Sequence, residues 1–221
     1  MFSLDQFHRT YDTDTINVTI NGRPLQLLTP SAIDRFIDPD DPLHDFPLWT
    51  KLWEASGLLA SHLTALAPDP HKRMLEIGCG LGLVGIAAAR AGHRVTLTER
   101  NPDALNFVRA NALLNDLPDL SIEALDWNAP HLDDRFDFIV GSETVYKSED
   151  IDTLEALFDR YLNPRGTILL AEGVRRTGLD FWERMRQRYT VQAKRHTLRS
   201  NAGEQHLILF RLQSSNGHQP Q

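Results

Sequence analysis

The chain has 221 residues, 41% of them hydrophobic and 24% charged, enough for one sizeable core without requiring a second. Its formal net charge of -7 gives no general attraction for phosphate backbones, so no nucleic-acid partner is expected. The lone cysteine, Cys79, cannot make an internal disulfide, the start MFSLDQFHRTYDTD is not leader-like, and no apolar run nears the roughly 20 residues that span a bilayer; a soluble, cytoplasmic monomer with no membrane partner is expected.

In chain order, Ile16, Val18 and Ile20 alternate with polar residues, and Asn21-Gly22 offers a tight turn before Leu25, Leu27 and Leu28. This predicts a small hairpin within an N-terminal extension, residues 1–44. Prolines and acids between Asp38 and Pro47 predict a surface loop. Trp49, Leu52, Trp53, Leu63 and Leu66 follow helical spacing.

The main domain, residues 45–213, alternates strands and helices, the pattern of a largely parallel sheet covered by helices. A short apolar run, Arg73 to Ile77, stops at Gly78-Cys79-Gly80-Leu81-Gly82, a strand meeting a glycine turn. A helix over Leu83 to Arg90 follows, with Gly92 placed for a left-handed C-terminus. His93 to Thr98 reads as the second strand, ending at Glu99. Asn101 and Pro102 suit a helix cap and first turn, with Leu105, Val108 and Ala112 on one face. Ile122 and Ala124 mark the third strand, closed by Leu125-Asp126-Trp127, and Phe136 to Val140 the fourth, followed by Ser142, Glu143 and Tyr146. A helix starting at Ser148 carries Ile151, Leu154, Phe158 and Leu162 on one stripe. Thr167 to Ala171 is the fifth strand, Phe181 to Arg188 a short helix, and Tyr189 to Ala193 with Gln205 to Leu212 a final hairpin. Residues 214–221 are polar and are expected to be a disordered tail.

The chemistry gathers at the carboxyl ends of the first four strands, the rim where open α/β sheets bind ligands. Gly80-Leu81-Gly82-Leu83-Val84-Gly85 with Glu99 about 20 residues on also fits a dinucleotide fingerprint, so an NAD enzyme is a rival. Glu76, two residues before the first glycine, argues the other way: its negative charge suits the cationic amino-acid end of a sulfonium cofactor and repels a pyrophosphate. Asp126 can accept from an adenine amino group, and Trp127 can pack beside the ring. Glu99 can accept from ribose hydroxyls with either cofactor. The nine histidines show no metal-ligand spacing, and no metal is expected.

The blocks Leu75-Glu76-Ile77-Gly78-Cys79-Gly80-Leu81-Gly82-Leu83-Val84-Gly85, Thr98-Glu99-Arg100, Leu125-Asp126-Trp127 and Glu143-Thr144-Val145-Tyr146 resemble the seven-β-strand, or class I, S-adenosylmethionine-dependent methyltransferases. Leu52-Trp53-Glu54-Ala55-Ser56, ahead of the glycine motif, narrows the likeness to family 16, which contains many protein lysine methyltransferases. The likeness spans roughly residues 45 to 175. It implies a Rossmann-like α/β fold: a seven-stranded, mostly parallel sheet, helices on both faces, the last strand antiparallel. It implies S-adenosyl-L-methionine over Gly78, Gly80 and Gly82, with Trp53, Glu76, Glu99, Arg100, Asp126, Trp127 and Ser142 around it. It also implies a lysine side chain of a protein substrate as acceptor, with Glu143 and Tyr146 as catalytic residues. The family element usually begins with aspartate; this chain has glutamate at 143, one methylene longer. A small-molecule methyltransferase and a non-catalytic cofactor-binding scaffold are the alternative readings.

Overall fold

The computed structural model describes residues 2–41, 46–145, 148–200 and 203–214. Helix α1 (Leu4–Thr10) leads into strands β1 (Thr13–Ile20) and β2 (Arg23–Pro30). The main domain then runs α2 (Glu54–Thr64), β3 (Arg73–Glu76), α3 (Leu83–Arg90), β4 (Arg94–Glu99), α4 (Pro102–Leu114), β5 (Ser121–Ala124) and β6 (Phe136–Ser142). It finishes with α5 (Asp150–Tyr161), β7 (Leu162–Gly173), α6 (Arg176–Met185), β8 (Tyr189–Ser200) and β9 (Gly203–Ser214). The seven main strands lie in the order β5-β4-β3-β6-β7-β9-β8. The five from β5 to β7 run parallel, and the last strand, β9, is antiparallel to both neighbours, as expected.

Two-residue periodicity sorts the strand side chains onto two faces. Met74, Leu97, Val140, Leu169 and Leu209 turn to one, where Leu59 and Leu63 of α2, Ile86 of α3 and Leu27 of the hairpin close over them. Leu75, Ile139, Ile168, Leu170 and Phe210 turn to the other, against Leu154 and Phe158 of α5 and Phe181 of α6. Helices therefore cover both faces. No helix among the described residues is long and apolar enough to cross a membrane.

Local chemistry sets several boundaries. Asn101 caps α4 by accepting from the N–H groups of Asp103 and Ala104 at 2.9 and 3.1 Å, with Pro102 in the first turn. Helix α3 ends with Gly92 at φ +98. There the His93 N–H reaches Ala88 O at 3.1 Å and the Gly92 N–H reaches Ala89 O at 2.9 Å, the paired bonds of a Schellman stop.

The hairpin is fastened to α4 by two asparagines one turn apart. Asn111, fully buried, accepts from Leu28 N–H at 2.6 Å and donates to Leu28 O at 3.2 Å. The same amide donates to Leu81 O in the glycine turn at 2.9 Å. Asn115 repeats the exchange with Gln26, accepting at 3.2 Å and donating at 2.6 Å. The two side chains thus stand in for a third strand along an edge that would otherwise invite pairing. Phe7, Tyr11, Phe36, Trp49 and Phe107 pack an aromatic cluster beside them.

Several expectations need correction. Trp49, Leu52 and Trp53 do not share a helical stripe. Leu48–Thr50 is one 3₁₀ turn, Trp53 is extended at φ -87 and ψ 145, and α2 starts only at Glu54. The hydroxyl of Thr50 donates to Pro47 O at 2.8 Å, a local bond that competes with helix continuation. Leu162 begins β7 rather than ending α5, so that strand is longer than Thr167 to Ala171. The sixth helix lies earlier than Phe181 to Arg188, and β8 and β9 are each 12 residues long. Ser214 is paired with Tyr189; the tail from 215 onward lies outside the described residues. Helix α1 was not anticipated.

Replacing Asn111 by Ala should leave buried backbone groups of Leu28 and Leu81 without partners. We expect a loss of about 2–4 kcal/mol in urea unfolding. A loss below about 1 kcal/mol would contradict this account of the attachment.

Candidate active site

Parallel strands bring their carboxyl ends to one rim, and four adjacent strands here each deliver a glutamate to it. In spatial order they are Glu99 at the end of β4, Glu76 at the end of β3, Glu143 just after β6 and Glu172 near the end of β7. Three of them, Glu76, Glu143 and Glu172, are buried.

The turn after β3 is held from both sides: the N–H of Ile77 donates to Val140 O and that of Cys79 to Thr98 O, each at 2.9 Å. Gly78, Gly80 and Gly82 take φ of +60, +54 and +85, the left-handed region where a side chain is strained. A Cβ on Gly78 would stand 3.4 Å from Trp127 Cζ2, and one on Gly80 3.4 Å from Trp49 O. The turn is therefore bare backbone between two tryptophan-bearing segments.

Glu76 turns back beneath this turn toward the start of α3. Its Oε2 would collide with any Cβ at Gly85 and is buried without a hydrogen-bond partner. Burial pushes its pKa up to about 8; the Gly85 N–H opposes the rise and the Glu99 charge adds to it. A carboxyl in this position is poorly compensated, and a nearby cation would favour its ionised form.

Glu99 is better satisfied. Its Oε2 accepts from Gly80 N–H at 3.1 Å, and its Oε1 from Arg100 N–H at 2.8 Å and Asn101 N–H at 3.2 Å. A carboxylate offers about four acceptor positions, so these bonds leave room for one further donor. The Arg100 side chain is exposed beside it. Asp126, after β5, uses Oδ1 for the Asn128 backbone N–H at 2.9 Å and its side-chain amide at 3.3 Å. Trp127 half-buries its ring against Gly78.

On the other side of the turn, Ser142 Oγ meets Ser56 Oγ at 2.9 Å, tying the end of β6 to α2. Trp53 donates its indole N–H to Leu48 O at 3.1 Å, with the Lys51 ammonium 4.1 Å above its ring. The structure thus unites Glu76, Glu99, Trp127 and the glycines at one turn. It places Trp53 and Ser142 at opposite ends of the adjoining first turn of α2.

Glu143 has φ +53, an uncommon conformation for a residue with a side chain. Its Oε1 accepts from Gly173 N–H at 3.0 Å, and its Oε2 meets Arg175 Nη2 at 2.5 Å. Burial raises its pKa against the opposing pull of Arg175 and the Gly173 N–H. Glu172 returns the gesture: it accepts from Thr144 N–H and hydroxyl at 2.9 Å each and from Val145 N–H at 3.4 Å. Burial pushes Glu172 up to about 7, with the Glu143 charge contributing. The two carboxylates clasp the loops after β6 and β7 to each other. Tyr146 lies outside the described residues.

Sequence reasoning did not single out Glu172, Arg175 or Trp49. An available signal was the acid closing the apolar run Leu169-Leu170-Ala171-Glu172, the same pattern that marked Glu76.

Known proteins resemble this chain in sequence and in fold. Residues 48–188 match the family model described as lysine methyltransferase. The chain is 31% identical over 147 residues to the protein N-lysine methyltransferase METTL21A of Xenopus tropicalis, covering 63% of this chain and 68% of that protein. It is 30% identical over 114 residues to the histone-arginine methyltransferase METTL23 of Mus musculus, covering 48% and 44% respectively. Among solved structures, M. jannaschii TYW2 in complex with AdoMet superposes with a TM-score of 0.59 at 15% identity, over 92% of this chain and 87% of that one, a likeness of fold. The bare glycine turn, the orphaned oxygen of Glu76 and the acceptors at Glu99 and Asp126 fit a cationic nucleoside. The chain belongs to the lysine methyltransferase family matched over residues 48–188 and is an S-adenosylmethionine-dependent methyltransferase.

Proposed function

We propose that this chain methylates the ε-amino group of a lysine on a protein substrate. The observation that carries the reading is Glu143: a buried carboxylate whose proton affinity is raised by burial, set at the rim beside the glycine turn. A lysine ammonium has an ordinary pKa near 10.4 and an arginine guanidinium one above about 12. A carboxyl whose proton affinity is raised by burial takes a proton from lysine far more readily than from arginine.

When bound, S-adenosylmethionine supplies a methyl group activated by a sulfonium. The residues assigned to hold it are Gly78, Gly80 and Gly82 by close backbone approach, Glu99 on the ribose side and Asp126 with Trp127 on the adenine side. Glu76 gives negative potential under the turn, and Trp53, Arg100 and Ser142 border the same opening. Glu143 receives the acceptor's cationic end, takes its proton and leaves a neutral amine; Tyr146 is assigned to direct the nitrogen. Apolar surroundings at Val145 and Ile77 exclude water and strengthen these charge interactions. The relatedness to METTL21A over most of both chains supports a protein acceptor.

Incubation of a lysine-protected lysate and an untreated one with labelled cofactor should label protein bands only in the untreated sample, with mass spectrometry placing the methyl on lysine. Methyl groups confined to arginine, histidine or small products would overturn the reading. Glu143→Gln should lower kcat by about 10²-fold or more while cofactor affinity holds; unchanged turnover would remove Glu143 from the chemistry.

Glu76 gives a pH test. Its folded pKa of about 8 lies above the ordinary 4.5, so the folded state binds more protons than the unfolded one between these values. Stability therefore falls as pH rises from about 4.5 to 8. Glu76→Gln removes this slope: its melting temperature relative to wild type should climb from pH 5.5 to pH 8.5, while its cofactor affinity at pH 8.5 drops. A difference that stays flat with pH would show that Glu76 is ionised without strain.

A further inference from the structure

The Glu143–Arg175 pair carries more than support for a loop. Both oxygens of Glu143 are committed, Oε1 to the Gly173 N–H and Oε2 to the Arg175 guanidinium. The two partners are unequally buried: the Glu143 side chain is 5% exposed and that of Arg175 35%. The carboxylate is fixed inside, whereas the Arg175 side chain is partly exposed, with its Nη1 buried. Gly173 keeps the space between them clear, since a Cβ there would stand 3.3 Å from Glu143 Oε1 and 3.8 Å from two nitrogens of Arg175. Arg175 itself is the extended N-cap of α6, at φ -133 and ψ 161, and its side chain makes no capping bond to that helix.

We propose that Arg175 determines acceptor specificity by acting as a displaceable counter-ion: its guanidinium closes the acceptor site on Glu143 until the ammonium of an incoming side chain takes its place. The proposal rests on the lysine reading above and adds the rule by which acceptors are admitted. A buried carboxylate left without a cation is costly, so the exchange works only cation for cation. A neutral side chain cannot displace Arg175, because it would leave Glu143 uncompensated. Glu54 on α2, whose charge reaches Glu143, favours the same sign of visitor. Arg175 thereby lowers the affinity for every acceptor and lowers it most for uncharged ones.

The test uses n-butylammonium, which has the lysine side chain's chemistry, titrated into the full chain and followed by ligand-observed NMR, independently of methyl transfer. Arg175→Met should bind it about tenfold more tightly than wild type, since the competing cation is gone. Adding Glu143→Gln to Arg175→Met should abolish the gain. Arg175→Lys, which keeps a competing cation, should remain within about threefold of wild type and guards against a folding artefact. If wild type binds n-butylammonium and Arg175→Met binds it no more tightly, Arg175 merely positions Glu143 and the displacement model fails alone. If neither binds it at all, the lysine reading fails together with the model.

Discussion

The constraint from which the rest follows is electrostatic: parallel strand order places four glutamates side by side at one rim, and three of them are buried. Like charges in a low-dielectric setting raise one another's pKa and oppose burial. Each residue is handled differently. Glu99 is surrounded by backbone N–H groups, Glu143 has a guanidinium and a backbone N–H, Glu172 has three donors from the loop after β6, and Glu76 keeps an oxygen with none. Compensation is thus uneven along the rim and poorest at Glu76. Glu76 and Glu99 sit at the glycine turn; Glu143 and Glu172 sit on the loops to its side.

Such an arrangement stores instability that a cationic ligand relieves. Anything binding the native state in preference to the unfolded chain stabilises it, and a cation beside the least compensated carboxyl would favour its ionised form. The same logic explains why α3 must begin with Gly85 in its first turn: a side chain there would occupy the space of Glu76 Oε2 and of Leu97. The carboxyl under the turn and the absent side chain above it are one feature. Asn111 extends that dependence outward, because its amide ties the Leu81 carbonyl of the turn to the hairpin strand. The N-terminal hairpin thus helps to hold the glycine turn in shape although it lies outside the main sheet.

Legibility in the sequence followed the physics of each element. The sheet and its glycine turn were readable because buried parallel strands appear as short apolar runs, and because Gly78, Gly80 and Gly82 have a conformational task that other residues perform poorly. Glu76, Glu99 and Asp126 were readable as acids that end such runs. Trp53 misled, since Trp49, Leu52 and Trp53 fit helical spacing while the segment closes as a 3₁₀ turn, with both the N–H and the hydroxyl of Thr50 bonded to Pro47 O. The length of β7, β8 and β9 was hidden by polar residues at their ends, where pairing with a neighbour and not side-chain pattern sets the boundary. Arg175 carries no pattern in the sequence that marks it; only the folding of β7 beside β6 brings it onto Glu143, 32 residues away in sequence by their numbers.

The glutamate at 143, where the related element usually has aspartate, makes sense in these terms. Aspartate tolerates the left-handed region better than glutamate does, so local conformation alone argues against the residue found at φ +53. What glutamate adds is reach: the extra methylene carries its two oxygens to a backbone N–H at the end of β7 and a guanidinium at the start of α6. An aspartate at the same φ, one methylene shorter, would have to give up one of those partners. The longer side chain therefore couples the loop after β6 to the start of α6, and backbone strain at one residue is offset by a bond across two loops. The end of β6 is thereby linked to the placement of α6, which a shorter acid at the same position would leave independent.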